Sequence, residues 1–124
     1  QVRAGRARRI GRPGFKFSRI HVEDVVAVLK ASMAAPDPLA VYNVCDDEPA
    51  EQEKVVAHAC GLLGAEVPPL IPFEQAEAGM SPMARSFWSD HRLVDNSRIK
   101  RDLGIILGHP DYRSGLEAIL AAEK

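Results

Sequence analysis

Residues 17–29 read FSRIHVEDVVAVL, and within four consecutive positions they place His21, Glu23 and Asp24 ahead of an apolar run. An imidazole beside two carboxylates could bind a metal, exchange protons, or only start a helix. A metal site readable from spacing needs a second His or Cys at a suitable offset, such as four residues on along a helix. Position 25 is Val, and His58, His91 and His109 occur in unrelated contexts. The spacing therefore predicts no metal site. The two acids have a simpler use in the first turn of a helix. There they face free N–H groups and the positive end of the dipole, each contributing on the order of 0.3–1 kcal/mol. His21 is then a strand-end residue whose ring nitrogen bonds a neighbouring backbone group.

Elements on both sides fit this junction. Residues 8–20 read as two short extended pieces joined by Gly11-Arg12-Pro13-Gly14, with Phe15, Phe17 and Arg19 on one face. A helix follows over about 22–35, its expected buried stripe being Val22, Val25, Val26, Leu29 and Met33, stopped by Pro36 and Pro38. AVYNVC, residues 40–45, is a β-prone run. Asp46-Asp47-Glu48-Pro49 reads as the start of a second helix reaching Leu63, with Val55, Val56, Ala59, Leu62 and Leu63 inward and Gly64 as its stop. Strand and helix alternating twice is the rhythm of a parallel α/β sheet. VPPLIP, residues 67–72, has too few donors for a central strand. Short helices are expected near 74–78 and 82–88, a capped one over 95–104 around Ile99 and Leu103, and a last one over 112–123 burying Tyr112, Leu116, Ile119 and Leu120.

The size, 124 residues, suits one modest domain. Sixteen basic and seventeen acidic residues give a net charge of −1, so there is no general pull towards a polyanion or an anionic membrane. Charge is unevenly placed: seven basic residues and no acid lie in 1–19, while 31–82 holds nine acids and only Lys54. The Arg-rich start, RAGRARRIGR, raises a nucleic-acid-binding reading, against which stand the acidic middle and the lack of a recognition motif. No apolar stretch reaches membrane-spanning length. Cys45 and Cys60 fit neither a zinc-finger spacing nor a disulfide scaffold, which makes a reducing cytoplasm the expectation.

RIHVEDVV (19–26), AVYNVCDDEP (40–49), LLG (62–64), NSRIKRDLG (96–104) and YRSGLEAIL (112–120) occur in that order. The run resembles the C-terminal part of extended short-chain dehydrogenase/reductases, the NAD-dependent epimerase/dehydratase family. SPMARSFW (81–88) makes it most similar to the atypical branch of nucleoside-diphosphate-sugar epimerases. The resemblance implies the last strands and helices of a Rossmann-type parallel sheet plus a small, mostly helical substrate lobe. It also implies a C-terminal fragment, 1–124, whose dinucleotide-binding half lies elsewhere. The Gly-rich dinucleotide turn is absent, and so is the Tyr-x-x-x-Lys pair: four residues after Tyr42 comes Asp46, and after Tyr112 comes Leu116. NAD or NADP is thus expected in the parent protein and not on this chain alone, with no catalytic residue here. A sugar-nucleotide substrate would present a diphosphate suited to guanidinium groups. The candidates are Arg19, Arg85 and Trp88, with His91 and Arg92 weaker. In relatives the comparable arginine commonly stands two residues earlier, where this chain has Phe17. Trp88 has an alternative use as core filler. A homo-oligomer, or association with the missing half, follows from an uncovered sheet edge and apolar face. A non-catalytic dimerisation or regulatory domain is the other reading.

Overall fold

The computed structural model describes residues 1–123. They form a mixed α/β protein of six helices and short strands, divided into two compact units, residues 1–17 with 50–92 and residues 18–49 with 93–123.

In the first unit, β1 (Arg9–Gly11) pairs in parallel with β4 (Leu70–Pro72), Ile10 opposite Ile71. Pro72 sits at the end of a two-stranded sheet, where a missing donor is tolerated. A Cβ on Gly11 would stand 2.9 Å from a Leu70 methyl, so the glycine permits this close strand approach. β2 (Lys16–Phe17) pairs antiparallel with β3 (Ala50–Glu51). Helix α2 (Gln52–Leu63) packs on β1. Its first residue extends the ladder with a side chain: Gln52 Oε1 accepts from Ile10 N at 2.8 Å and Nε2 donates to Arg8 O at 2.7 Å. α2 ends at Gly64, whose φ of 62° is the left-handed cap expected there. It starts later than Asp46–Pro49 suggests, because β3 intervenes. Cys60, at 1% exposure, is its buried residue, and the expected inward set is only half-buried.

Helices α3 (Phe73–Glu77) and α4 (Pro82–Ser89) complete this unit. Ser81 caps α4 by accepting from Ala84 N at 3.1 Å. The core is aromatic: Ile10, Phe15, Phe73, Ala76 and Trp88, with Phe17, Ile71 and Met80 against it. Trp88 stacks on Phe15 at 5.5 Å and meets Phe17 edge-on at 4.9 Å. The Arg12 guanidinium lies over the Phe15 and Phe73 rings, 4.5 and 4.4 Å from their centres, and donates to the Trp88 carbonyl.

The second unit holds α1 (Val22–Ala34), α5 (Ser97–Leu103) and α6 (Tyr112–Ala122), joined by long irregular segments. Here the sequence expectations need correction. The predicted stripe of α1 is mostly outward: Val22, Val26, Leu29 and Met33 are exposed, while Asp24 and Val28 are buried. At roughly 100° per residue, the buried line runs about 120–160° around the helix from the apolar one. Residues 40–45 form no strand. Their carbonyls are taken by side chains: Arg98 donates to Val41 O at 2.9 Å and Asn96 to Cys45 O at 3.0 Å. In α6, Tyr112 and Gly115 are buried, but Ile119 is exposed. In α5, Ile99 is fully buried, at 0% exposure.

Candidate functional site

His21 bonds a neighbouring backbone group as expected, its Nδ1 accepting from Glu23 N at 3.3 Å, but it does so as the N-cap of α1 and not at the end of a strand, since β2 stops at Phe17. Asp24 does more than meet the helix dipole. Its carboxylate, at 3% exposure, accepts from Gly108 N at 2.7 Å and His109 N at 2.9 Å. That pair of bonds fixes the 104–111 loop on the start of α1. The loop in turn lays the His109 ring 4.0 Å from that of His21 and brings its Nε2 within 3.0 Å of Glu23 Oε2. His109 is therefore no isolated histidine, correcting the expectation from spacing. Its partners lie 86 residues away, and no local offset in the sequence could have linked them. On the other side of His21, a Cβ at buried Gly115 of α6 would touch the ring at 3.5 Å.

A second polar cluster in the same unit surrounds Arg19 and Asp46. Asp46 N donates to Arg19 O at 2.6 Å, and Asp46 Oδ1 accepts from Glu48 N at 3.1 Å. Burial pushes the Asp46 carboxyl up to about 6, against the pull of the Glu48 N–H and the Arg19 charge, with Asp111 and Asp47 adding to the rise. Burial likewise lowers the Arg19 guanidinium from its ordinary value, opposed by Asp46 and Tyr112. Arg19 thus already has a carboxylate beside it. Around this pair, Asp47 accepts from Asn96 at 2.7 Å and Lys100 at 2.5 Å, and Glu48 takes a forked pair of bonds from Arg113 at 2.8 and 3.0 Å. Asp111 caps α6, accepting from Arg113 N and Ser114 N. Cys45 is buried and donates to Val94 O at 3.2 Å, and burial raises its thiol above the usual range, the opposite of a prepared nucleophile.

The other candidates belong to the first unit. Arg85 is exposed on α4, its Nη2 donating to Glu77 O at 3.2 Å and its Nε 3.9 Å from the Glu77 carboxylate. Trp88, at 7% exposure, fills the aromatic core. His91 lies against Phe15 at 4.8 Å and accepts from Lys16 N at 3.1 Å. Arg92 is exposed and pairs with Asp90 at 2.5 Å. Sequence reasoning missed Asp24 as the anchor of a loop and Asp46 as a carboxyl titrating near neutrality. Neither shows locally, since both depend on burial by distant segments.

No described helix is long and apolar enough to cross a membrane. No protein-family model and no curated protein matches the chain. Among solved structures it is similar to a functionally unknown conserved protein from Silicibacter pomeroyi DSS, at 54% identity and a TM-score of 0.90. The match covers 97% of this chain and 43% of that protein, so the chain spans less than half the length of this relative.

Proposed function

We propose that this chain is the substrate-binding C-terminal part of an NAD(P)-dependent epimerase/dehydratase-type enzyme acting on a sugar nucleotide or a similar substrate, and is not catalytic by itself. The observation that carries the reading is the extent of the similarity. A 54% identical protein is more than twice as long, which leaves ample chain for a dinucleotide turn and a Tyr/Lys pair. The parallel pair of β1 and β4 is the kind of pairing a Rossmann-type sheet is built from. Exposed Val22, Val26, Leu29 and Met33 fit a face that the rest of a longer protein covers. In this reading the compartment is the cytoplasm and NAD or NADP binds the other half.

Of the proposed substrate contacts, Arg85 is the strongest. It is exposed, and its guanidinium, in contact with Glu77 through Nη2 and Nε, keeps Nη1 for a diphosphate. Arg19 contributes less, since it is partly buried with the Asp46 carboxyl near it. Trp88, buried in the aromatic core, supports α4 and through it the position of Arg85. The test is binding of UDP-, GDP- and dTDP-sugars and of NAD and NADP to the full-length protein and its Arg85→Ala variant. Substrate affinity should fall about tenfold or more, as loss of a charged hydrogen bond predicts, with cofactor affinity unchanged. Equal sugar-nucleotide affinity in the variant removes Arg85 from the site, and no binding of any nucleotide ends the reading.

The apolar stripe on α1 also fits a non-catalytic dimerisation or regulatory domain. Light scattering separates the two, because a full-length monomer with low dye binding leaves no uncovered face to pair. The nucleic-acid reading weakens further: Arg9 donates to Pro68 O at 3.4 Å and Arg12 is seated on aromatic rings, so two arginines of the basic run serve the fold.

A further inference from the structure

We infer that His21, Glu23 and His109 form a binding site for a late first-row divalent cation, zinc foremost. Their ligand atoms all lie within 4.8 Å of one another. Tetrahedral zinc, with bonds of about 2.0–2.1 Å, places its ligands about 3.3–3.4 Å apart. His109 Nε2 and Glu23 Oε2 stand 3.0 Å apart in a hydrogen bond that a shared cation would replace. Closing the rest takes a turn of the Glu23 side chain, which is 73% exposed, together with a rotation of the imidazoles. The imidazoles are the better-held members. Gly115 backs His21, and the two bonds from Asp24 fix the backbone of His109. Two imidazoles and one carboxylate suit zinc and leave a fourth position for water or another donor.

Binding has two internal costs, the first being the hydrogen bond between His109 Nε2 and Glu23 Oε2, whose proton the cation displaces. A neutral imidazole has a single lone pair, and in His21 it accepts the Glu23 N–H. A cation on either ring nitrogen displaces that bond, which at 3.3 Å is a long one. The site therefore holds zinc less tightly than a closed structural centre does. The ion would tie the first turn of α1 to the 104–111 loop.

The test is calorimetric titration of zinc chloride into the metal-free full-length protein near neutral pH, with NMR of the histidine side chains. One equivalent should bind, shifting the His21 and His109 ring signals and leaving those of His58 and His91 in place. His109→Ala and His21→Ala should each weaken binding by about 100-fold, and Glu23→Gln by about tenfold. His91→Ala, whose ring lies in the first unit, should bind as the parent does. Circular dichroism of each variant separates lost affinity from lost fold, and His109→Asn provides a gentler replacement if alanine unfolds the loop. Zinc binding that survives in folded His109→Ala and His109→Asn, ring shifts confined to other histidines, or no binding at all overturns the site.

Discussion

Both units bury apolar side chains, Ile99, Cys45 and Val28 among them in the second, but they differ in the polar groups they bury. In the first, four aromatic rings and Ile10 exclude water, and the polar groups nearby serve that core: Arg12 lies on its rings and Gln52 completes its sheet edge. In the second, the most deeply placed side chains include two carboxylates, Asp24 and Asp46, and the helices are joined through charge and backbone hydrogen bonds. On α1, Val22, Val26, Leu29 and Met33 are outside while Val28 is buried beside the line of Asp24. The contrast teaches that a segment rich in Val and Leu need not build a core. Where acids take the inward line, stability comes from satisfied donors and is sensitive to pH and to loss of one partner.

The sharpest way to break the comparison is Trp88→Ala. Removing a buried indole that touches Phe15, Phe17 and Phe73 should cost about 3–5 kcal/mol. Hydrogen exchange should show the loss mainly in residues 50–92. Equal loss of protection in 93–123 would show a single cooperative body instead of two distinct cores.

Next in size is Asp24→Ala. It leaves Gly108 N and His109 N without their acceptor and should cost about 1.5–3 kcal/mol, the range for hydrogen bonds to a charged group. Exchange protection should fall first in the 104–111 loop. Unchanged urea stability would mean that water replaces the carboxylate, and the second unit would then be less dependent on its acids than its geometry indicates.

Asp46 sharpens the contrast through pH. Its folded-state carboxyl is raised to about 6 from an ordinary 3.8, so between those values the folded chain holds more protons than the unfolded one. Stability from this group is fully present below about pH 4 and declines as the pH rises to about 6. Asp46→Asn keeps an oxygen for Glu48 N and removes the titration. The variant should gain about 1–2 kcal/mol relative to the parent at pH 7, after solvent screening, and nothing at pH 4. Urea midpoints at the two pH values measure it, and a gain that is the same at both would place the cause elsewhere.

How much of this was legible follows from the reach of each interaction. The backbone bond of His21, the stop at Gly64 and the short helices around 82–88 and 97–103 arise from neighbours a few residues apart, and the sequence shows them plainly. The side chosen by α1 and the absence of a strand at 40–45 depend on partners across the chain: Gly108 and His109 for Asp24, Arg98 and Asn96 for the Val41 and Cys45 carbonyls. Periodicity records which face is apolar, not which face is covered. The same limit hid the approach of His109 to His21, while the use of Trp88 as core filler was legible in the sequence and the contact of Arg85 with Glu77 was not.

The smallest effect tests whether the acids of the second unit act independently. Asp111 caps α6 by accepting from Arg113 N and Ser114 N, and both bonds hold its carboxyl below the usual range. Asp111→Ala should cost about 1 kcal/mol, the usual value of an N-cap. Asp111 also raises the Asp46 carboxyl through its charge, so removing it relieves part of the strain on Asp46 above pH 6 and offsets some of the lost cap. The cost should therefore be larger at pH 4.5, where Asp46 is protonated, than at pH 7. A double variant, Asp111→Ala with Asp46→Asn, should abolish that difference, because no charge at position 46 remains to be relieved. If the cost of Asp111→Ala is the same at both pH values, the two acids do not feel each other, and the second unit is a set of separate caps and pairs instead of a coupled polar core.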